Sequence, residues 1–124
     1  MRDRSRYRPF FILPINQGGE DTVWHPRADV YRTRTGWLLK FELAGVTRAD
    51  VSVCVTGSRL TVSGMRRDCL LEEGCSYHSM EIAYNRFERT VELPCDLTQS
   101  RLGLEFRDGI FLVRIAIGEE RREP

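Results

Sequence analysis

Every second residue is apolar along most of this chain. Trp37, Leu39, Phe41 and Leu43 alternate with Leu38, Lys40 and Glu42; Val51, Val53 and Val55 alternate with Ser52, Cys54 and Thr56. Phe87, Val91 and Leu93 alternate with Glu88, Thr90 and Glu92 in the same way. A β-strand turns successive side chains to opposite faces, so this pattern makes one face apolar and leaves the other polar. Leu60 and Val62 follow the turn Thr56-Gly57-Ser58, and Leu102, Leu104 and Phe106 lead into Arg107-Asp108-Gly109. Asp-Gly is a strong two-residue hairpin signal. The alternation runs from about residue 28 to 117, and no stretch of ten residues carries a helical stripe. Thr47–Asp50 has room for one short turn. Half-buried antiparallel strands in this number predict an all-β fold, a sandwich or a barrel.

The last strand raises a question of its own. Ile115-Ala116-Ile117 stands near the C-terminus, where an Ile-x-Ile can serve as a free hook. Here it is in phase with Phe111 and Val113, while Ile110, Leu112 and Ala116 line the opposite face with Arg114. A strand apolar on both faces is usually covered on both, so the triplet is expected in the core. Arg89 falls between Phe87 and Val91 and is expected on the core face. A buried guanidinium needs a carboxylate or several carbonyls; on an exposed margin it would only snorkel. Residues 64–76, GMRRDCLLEEGCS, interrupt the alternation and read as a long connection, a kind of loop that tends to be functional or mobile. After it, Tyr77–Tyr84 again looks extended, with Met80, Ile82 and Tyr84 on one side.

At 124 residues the chain is one domain, with a core for one unit and not two. Its apolar fraction, 41%, is slightly low and its charged fraction, 30%, slightly high for a soluble globule. No apolar run approaches the ~20 residues of a membrane span. Phe10–Leu13 is too short for a secretory leader, so a cytoplasmic protein is expected. The net charge of +1 gives no field for nucleic acid, although all but one of the 19 basic residues are arginine. Arg2, Arg4, Arg6 and Arg8 read as a solvated tail rather than a nucleic-acid arm. Cys54, Cys69, Cys75 and Cys95 form no C-x-x-C and no standard zinc spacing, so free thiols are expected. No phosphate loop, nucleophile elbow or H-E-x-x-H is present. The one conceivable nucleophile pair, Cys75 with His78, sits in or beside the loop and lacks a defined pocket. The chain is expected to be no enzyme and to use no cofactor.

With these residues in view, the chain resembles the small heat-shock proteins, built on an α-crystallin domain. Pro26-x-Ala28-Asp29-Val30-Tyr31 opens the similarity, and Phe41-Glu42-Leu43-Ala44-Gly45-Val46 matches the family's L-P-G-V turn with Ala44 in place of proline. Leu60-Thr61-Val62-x-Gly64-Met65-Arg66 stands where the family has L-x-I-x-G-E-R, with Met65 for glutamate. Tyr84-Asn85-Arg86-Phe87-Glu88-Arg89, Leu93-Pro94 and Asp108-Gly109-Ile110-Phe111 follow in order, with Asn85 for a glycine and Gly103 for an alanine. The resemblance covers residues 24–117. It implies an immunoglobulin-like antiparallel β-sandwich over 25–117, between a flexible arm (1–24) and a short tail (118–124).

The resemblance also implies an ATP-independent holdase that keeps unfolding client proteins soluble. It implies a homodimer, open to larger oligomers, in which a strand after the long loop pairs with the partner. The residues expected there are Tyr77, His78, Met80, Ile82 and Tyr84, with Arg89 at the family's dimer-region arginine. The family's C-terminal Ile-x-Ile extension has no counterpart beyond residue 117. An edge groove lined by Leu60, Val62 and the last two strands is therefore expected to be free for clients or for the arm's Leu13-Pro14-Ile15. Phe10 and Phe11 are expected to contact clients. A p23-like co-chaperone docking one defined partner is the competing reading. Neither reading involves nucleic acid or membrane.

Overall fold

Seven strands carry the alternation, in a computed structural model that describes residues 23–118. They are β1 (Ala28–Arg32), β2 (Gly36–Glu42), β3 (Val51–Thr56), β4 (Arg59–Met65), β5 (Arg86–Glu92), β6 (Arg101–Arg107) and β7 (Ile110–Ala116). The short turn expected at Thr47–Asp50 is a 3-10 turn, Arg48–Asp50, running straight into β3. All five strand pairings are antiparallel. They make a four-stranded sheet in the order β1-β2-β7-β6 and a three-stranded sheet in the order β3-β4-β5. Of the two architectures that the patterning allows, this is the sandwich, of the immunoglobulin-like kind that the resemblance implies.

Turn chemistry sets the registers. Arg107 opposes Ile110, leaving Asp108 and Gly109 as a two-residue turn. Both have positive φ, 52° and 82°, the geometry that Asp-Gly favours because it matches the twist of the flanking strands. Gly57, at φ 62°, does the same work between β3 and β4. Asn85 does not share that geometry. Asp108 is the one non-glycine residue at positive φ among the described residues, so the asparagine stands in ordinary backbone.

The two sheets bury one face each. Leu39, Phe41 and Leu43, then Phe111, Val113 and Ile115, face Val51, Leu60, Val62, Phe87 and Val91 across a single core. Ile115 is 1% exposed, and the Ile117 amide donates to the Thr35 carbonyl at 2.9 Å. The Ile-Ala-Ile triplet thus closes the chain's own sheet, as its phase in the strand predicts. Leu112, on the outer face, is also buried. Its register neighbours are Lys40 and Glu105, and Glu105 holds Arg107 at 2.7 Å and Arg114 at 2.8 Å. Among the described residues, long polar side chains stand around it on that face.

The lead-in to β1 closes one side of the sandwich. Trp24 pairs with β5: its amide donates to the Arg86 carbonyl at 2.9 Å, and the Glu88 amide donates to the Trp24 carbonyl at 3.0 Å. Trp24 also meets Phe87 edge-on, ring centroids 5.6 Å apart. Trp24 therefore packs against the sandwich. Because the lead-in to β1 runs along β5, those two strands share one side of the sandwich. The edge strands β3 and β6 share the other.

Candidate functional site

The connection between β4 and β5 leaves the sandwich at a narrow neck. The Arg66 amide donates to the Asn85 carbonyl at 3.1 Å, so the two ends of the loop are paired. Within it, Asp68 accepts from the Leu70 amide at 3.2 Å, and the Cys75 amide donates to the Glu72 carbonyl at 3.3 Å after Gly74 at φ 91°. These are local turns, and no strand forms over Tyr77–Tyr84 within the chain. Met80 is 48% and Ile82 60% exposed, while Tyr77 and Tyr84 are half-buried and His78 is exposed. Leu70 and Leu71 are also exposed.

A second element with exposed apolar side chains is β1. Among the described residues it pairs with β2 alone, so no described strand covers its outer edge. Val30 is 44% and Tyr31 43% exposed on it. Lys40 sits over the Tyr31 ring at 4.6 Å, which leaves the ring on a partly polar surface. An open strand edge with exposed apolar side chains is a template for another strand.

Arg89 lies on the inner face of β5, opposite Val62, and is half-buried. Its Nη1 donates to the Pro26 carbonyl at 3.0 Å, which ties β5 to the chain entering β1. A carbonyl suffices where full burial would demand a carboxylate, because the side chain reaches the margin of the core.

Leu60 and Val62 do not line an edge groove. Both are fully buried, because β4 is the central strand of its sheet, flanked by β3 and β5. The alternation placed them on the inner face correctly but could not say which strands stand at the edge. The open margin lies between β3 and β6. Val53, Val55, Leu104 and Phe106 pack there against the core and are only partly buried. Phe10, Phe11, Leu13 and Ile15 lie outside the described residues.

The charged groups act structurally. Arg114 and Arg107 hold the Glu105 carboxyl below the usual carboxylate range by hydrogen bonding, and Ser58 and Arg59 do the same for Glu92. Burial lowers the pKa of Arg66, against the nearby charges of Tyr84 and Glu42. Cys54, Cys69 and Cys75 are exposed free thiols and Cys95 is partly buried. Cys75 and His78 stand on the exposed loop rather than in a cleft. Among the described residues, no group of three His, Cys, Asp or Glu side chains is placed to hold a metal. No described helix is long and apolar enough to cross a membrane.

The chain is thus a seven-stranded sandwich, among the described residues, with one long loop between β4 and β5. The profile of the Hsp20/alpha crystallin family matches residues 29–124. The chain belongs to that family. Small heat shock protein C2 of Rickettsia felis is 26% identical over 114 residues, covering 92% of this chain and 73% of the relative. Small heat shock protein C4 of the same organism is 27% identical over 100 residues, covering 81% of this chain and 61% of the relative. Heat shock protein 16.0 of Schizosaccharomyces pombe matches in structure with a TM-score of 0.65 at 24% identity, over 74% of this chain and 86% of that one. The hspA protein of Xanthomonas axonopodis matches with a TM-score of 0.61 at 23% identity, over 75% and 93%. These two likenesses establish the fold. Family membership establishes a small heat-shock protein, which is a chaperone class and not an enzyme class.

Proposed function

We propose that this small heat-shock protein is an ATP-independent holdase of the cytoplasm, working as a homodimer. Residues 77–84 of each chain add as a strand to the open β1 edge of the other. The observation that carries this is a matched pair of elements in one chain that expose apolar side chains. The β1 edge exposes Val30 and Tyr31, and the segment that returns from the loop exposes Met80 and Ile82. Exposed apolar side chains beside an open edge are unfavourable in a lone sandwich and are covered by strand addition. Arg89, tied to the Pro26 carbonyl just before β1, stiffens that edge where the partner strand arrives.

Clients bind where apolar surface stays open after dimerisation. The margin of Val53, Val55, Leu104 and Phe106 is one such place, and Phe10, Phe11, Leu13 and Ile15 of the N-terminal arm supply a second. The test is the light scattering of an unrelated client protein, heated without ATP. Near-stoichiometric amounts of this protein should suppress it. No suppression, together with capture of one discrete partner, would replace the holdase by a p23-like docking module.

A further inference from the structure

Arg66 is the first residue after β4, and its side chain reaches three distant parts of the chain at once. Nε donates to the Ala83 carbonyl at 2.9 Å and Nη1 to the Ala44 carbonyl at 3.1 Å. The guanidinium plane lies over the Trp24 ring, 3.8 Å from its centroid. Trp24 is itself fixed to β5 by two backbone hydrogen bonds and by its contact with Phe87. Ala44 belongs to the turn after β2. Ala83 directly follows Ile82, three residues after Met80, the exposed pair of the loop. The neighbouring Arg67 ties the other end of the loop to Asp50 at 3.1 Å, but its guanidinium side of the pair is exposed. Exposed pairs hold little.

We propose that Arg66 is a latch and a positioning residue: it fixes the direction in which residues 77–83 leave the sandwich, and so the register offered to a second copy of this chain. This rests on the dimer reading above. A segment held in its bound direction loses less freedom when it pairs, and the difference appears mainly in the rate of dissociation. Releasing the latch therefore speeds exchange of subunits, the event that uncovers the β1 edge. Lysine is a poor substitute. A guanidinium can lie flat on an indole while two of its nitrogens donate in different directions, whereas an ammonium is a compact point charge on a flexible stem.

The experiment measures subunit exchange by energy transfer between labels on the exposed Cys54, with the other cysteines changed to serine. Arg66→Met should exchange about tenfold faster than the parent, the scale of one lost charge-assisted hydrogen bond. Arg66→Lys should recover less than half of that change on a logarithmic scale. Exchange within twofold of the parent in Arg66→Met, or full recovery in Arg66→Lys, would overturn the latch. A second measurement does not need a dimer: cleavage by a glutamate-specific protease at Glu72, Glu73 and Glu81, at a concentration where the chain is monomeric. The latch requires Arg66→Met to accelerate cleavage at Glu81 about tenfold, with Glu72 and Glu73 within twofold of the parent. Equal acceleration at all three sites means general loosening and overturns it, as does no acceleration. If the parent is a monomer at every concentration, the dimer reading fails by itself and the protease result still decides the latch.

Discussion

Gly64 marks a place where two parts of the chain come very close. A Cβ there would overlap the Asp50 carbonyl and press on the Phe87 ring, so the 3-10 turn can pack only against a glycine. Gly64→Ala should cost about 1–3 kcal/mol in urea denaturation, the usual range for overpacking. Gly103 is the contrast: the nearest atom to its added Cβ is 3.8 Å away. Gly103→Ala should be neutral or stabilise by up to about 1 kcal/mol, because a glycine in a strand carries excess backbone entropy. For Arg89, a half-buried cation on one carbonyl sets the scale. Arg89→Ala should lose about 1–2 kcal/mol, below the ~3–5 kcal/mol of a broken buried ion pair. Glu105 gives the pH dependence. Its carboxyl is held low in the folded chain by Arg114 and Arg107. Its contribution is therefore full above the unfolded value of about 4.3 and is lost as pH falls through the folded value. Glu105→Gln should flatten the acid side of the stability curve below roughly pH 4.3, and added salt should shrink the difference.

In the proposed dimer two elements carry the assembly: the β1 edge and the loop that returns into β5. Deleting residues 68–82 should leave a folded monomer, read by light scattering at micromolar concentration. A deletion variant that stays fully dimeric would rule out strand exchange. At the other side, the margin between β3 and β6 tests the arm. If Leu13-Pro14-Ile15 occupies it, Leu13→Ser with Ile15→Ser should raise the affinity of an added Ile-x-Ile peptide at least severalfold. The contact would be with Val53, Val55, Leu104 and Phe106, so Val55→Asp should abolish peptide binding in both backgrounds. Equal binding by the parent and the double variant would leave the margin to clients alone.

The whole molecule is a single-core sandwich whose four thiols are free. Its melting temperature should therefore move by no more than about 1 °C on adding a reductant, since a native disulfide would be worth roughly 2–5 kcal/mol. Alkylation of the native protein should be fast at Cys54, Cys69 and Cys75 and slow at Cys95, which packs against the core. Mass spectrometry of the modified chain checks both expectations. The described residues present apolar surface at one strand edge, one loop and one margin.

The sequence by itself determined the strands, their inner faces and two of the tight turns. Those features depend on neighbours only one or two residues away: alternation follows from the pleat, and Asp108-Gly109 needs positive φ at both positions. It also showed that Ile115-Ala116-Ile117 continues a strand. Only the tertiary structure decided the order of strands within each sheet. Alternation says which face a side chain takes and not which strand lies beside it, so Leu60 and Val62 could be placed inward but not in the central strand. The same limit hid the carbonyl that Arg89 meets and the long side chains around Leu112 on the outer face of β7. It also hid the meeting of Trp24, Ala44, Arg66 and Ala83. Those four residues have no common period and no local signal. They come together because two sheets pack face to face, and the loop can only leave where the packing ends.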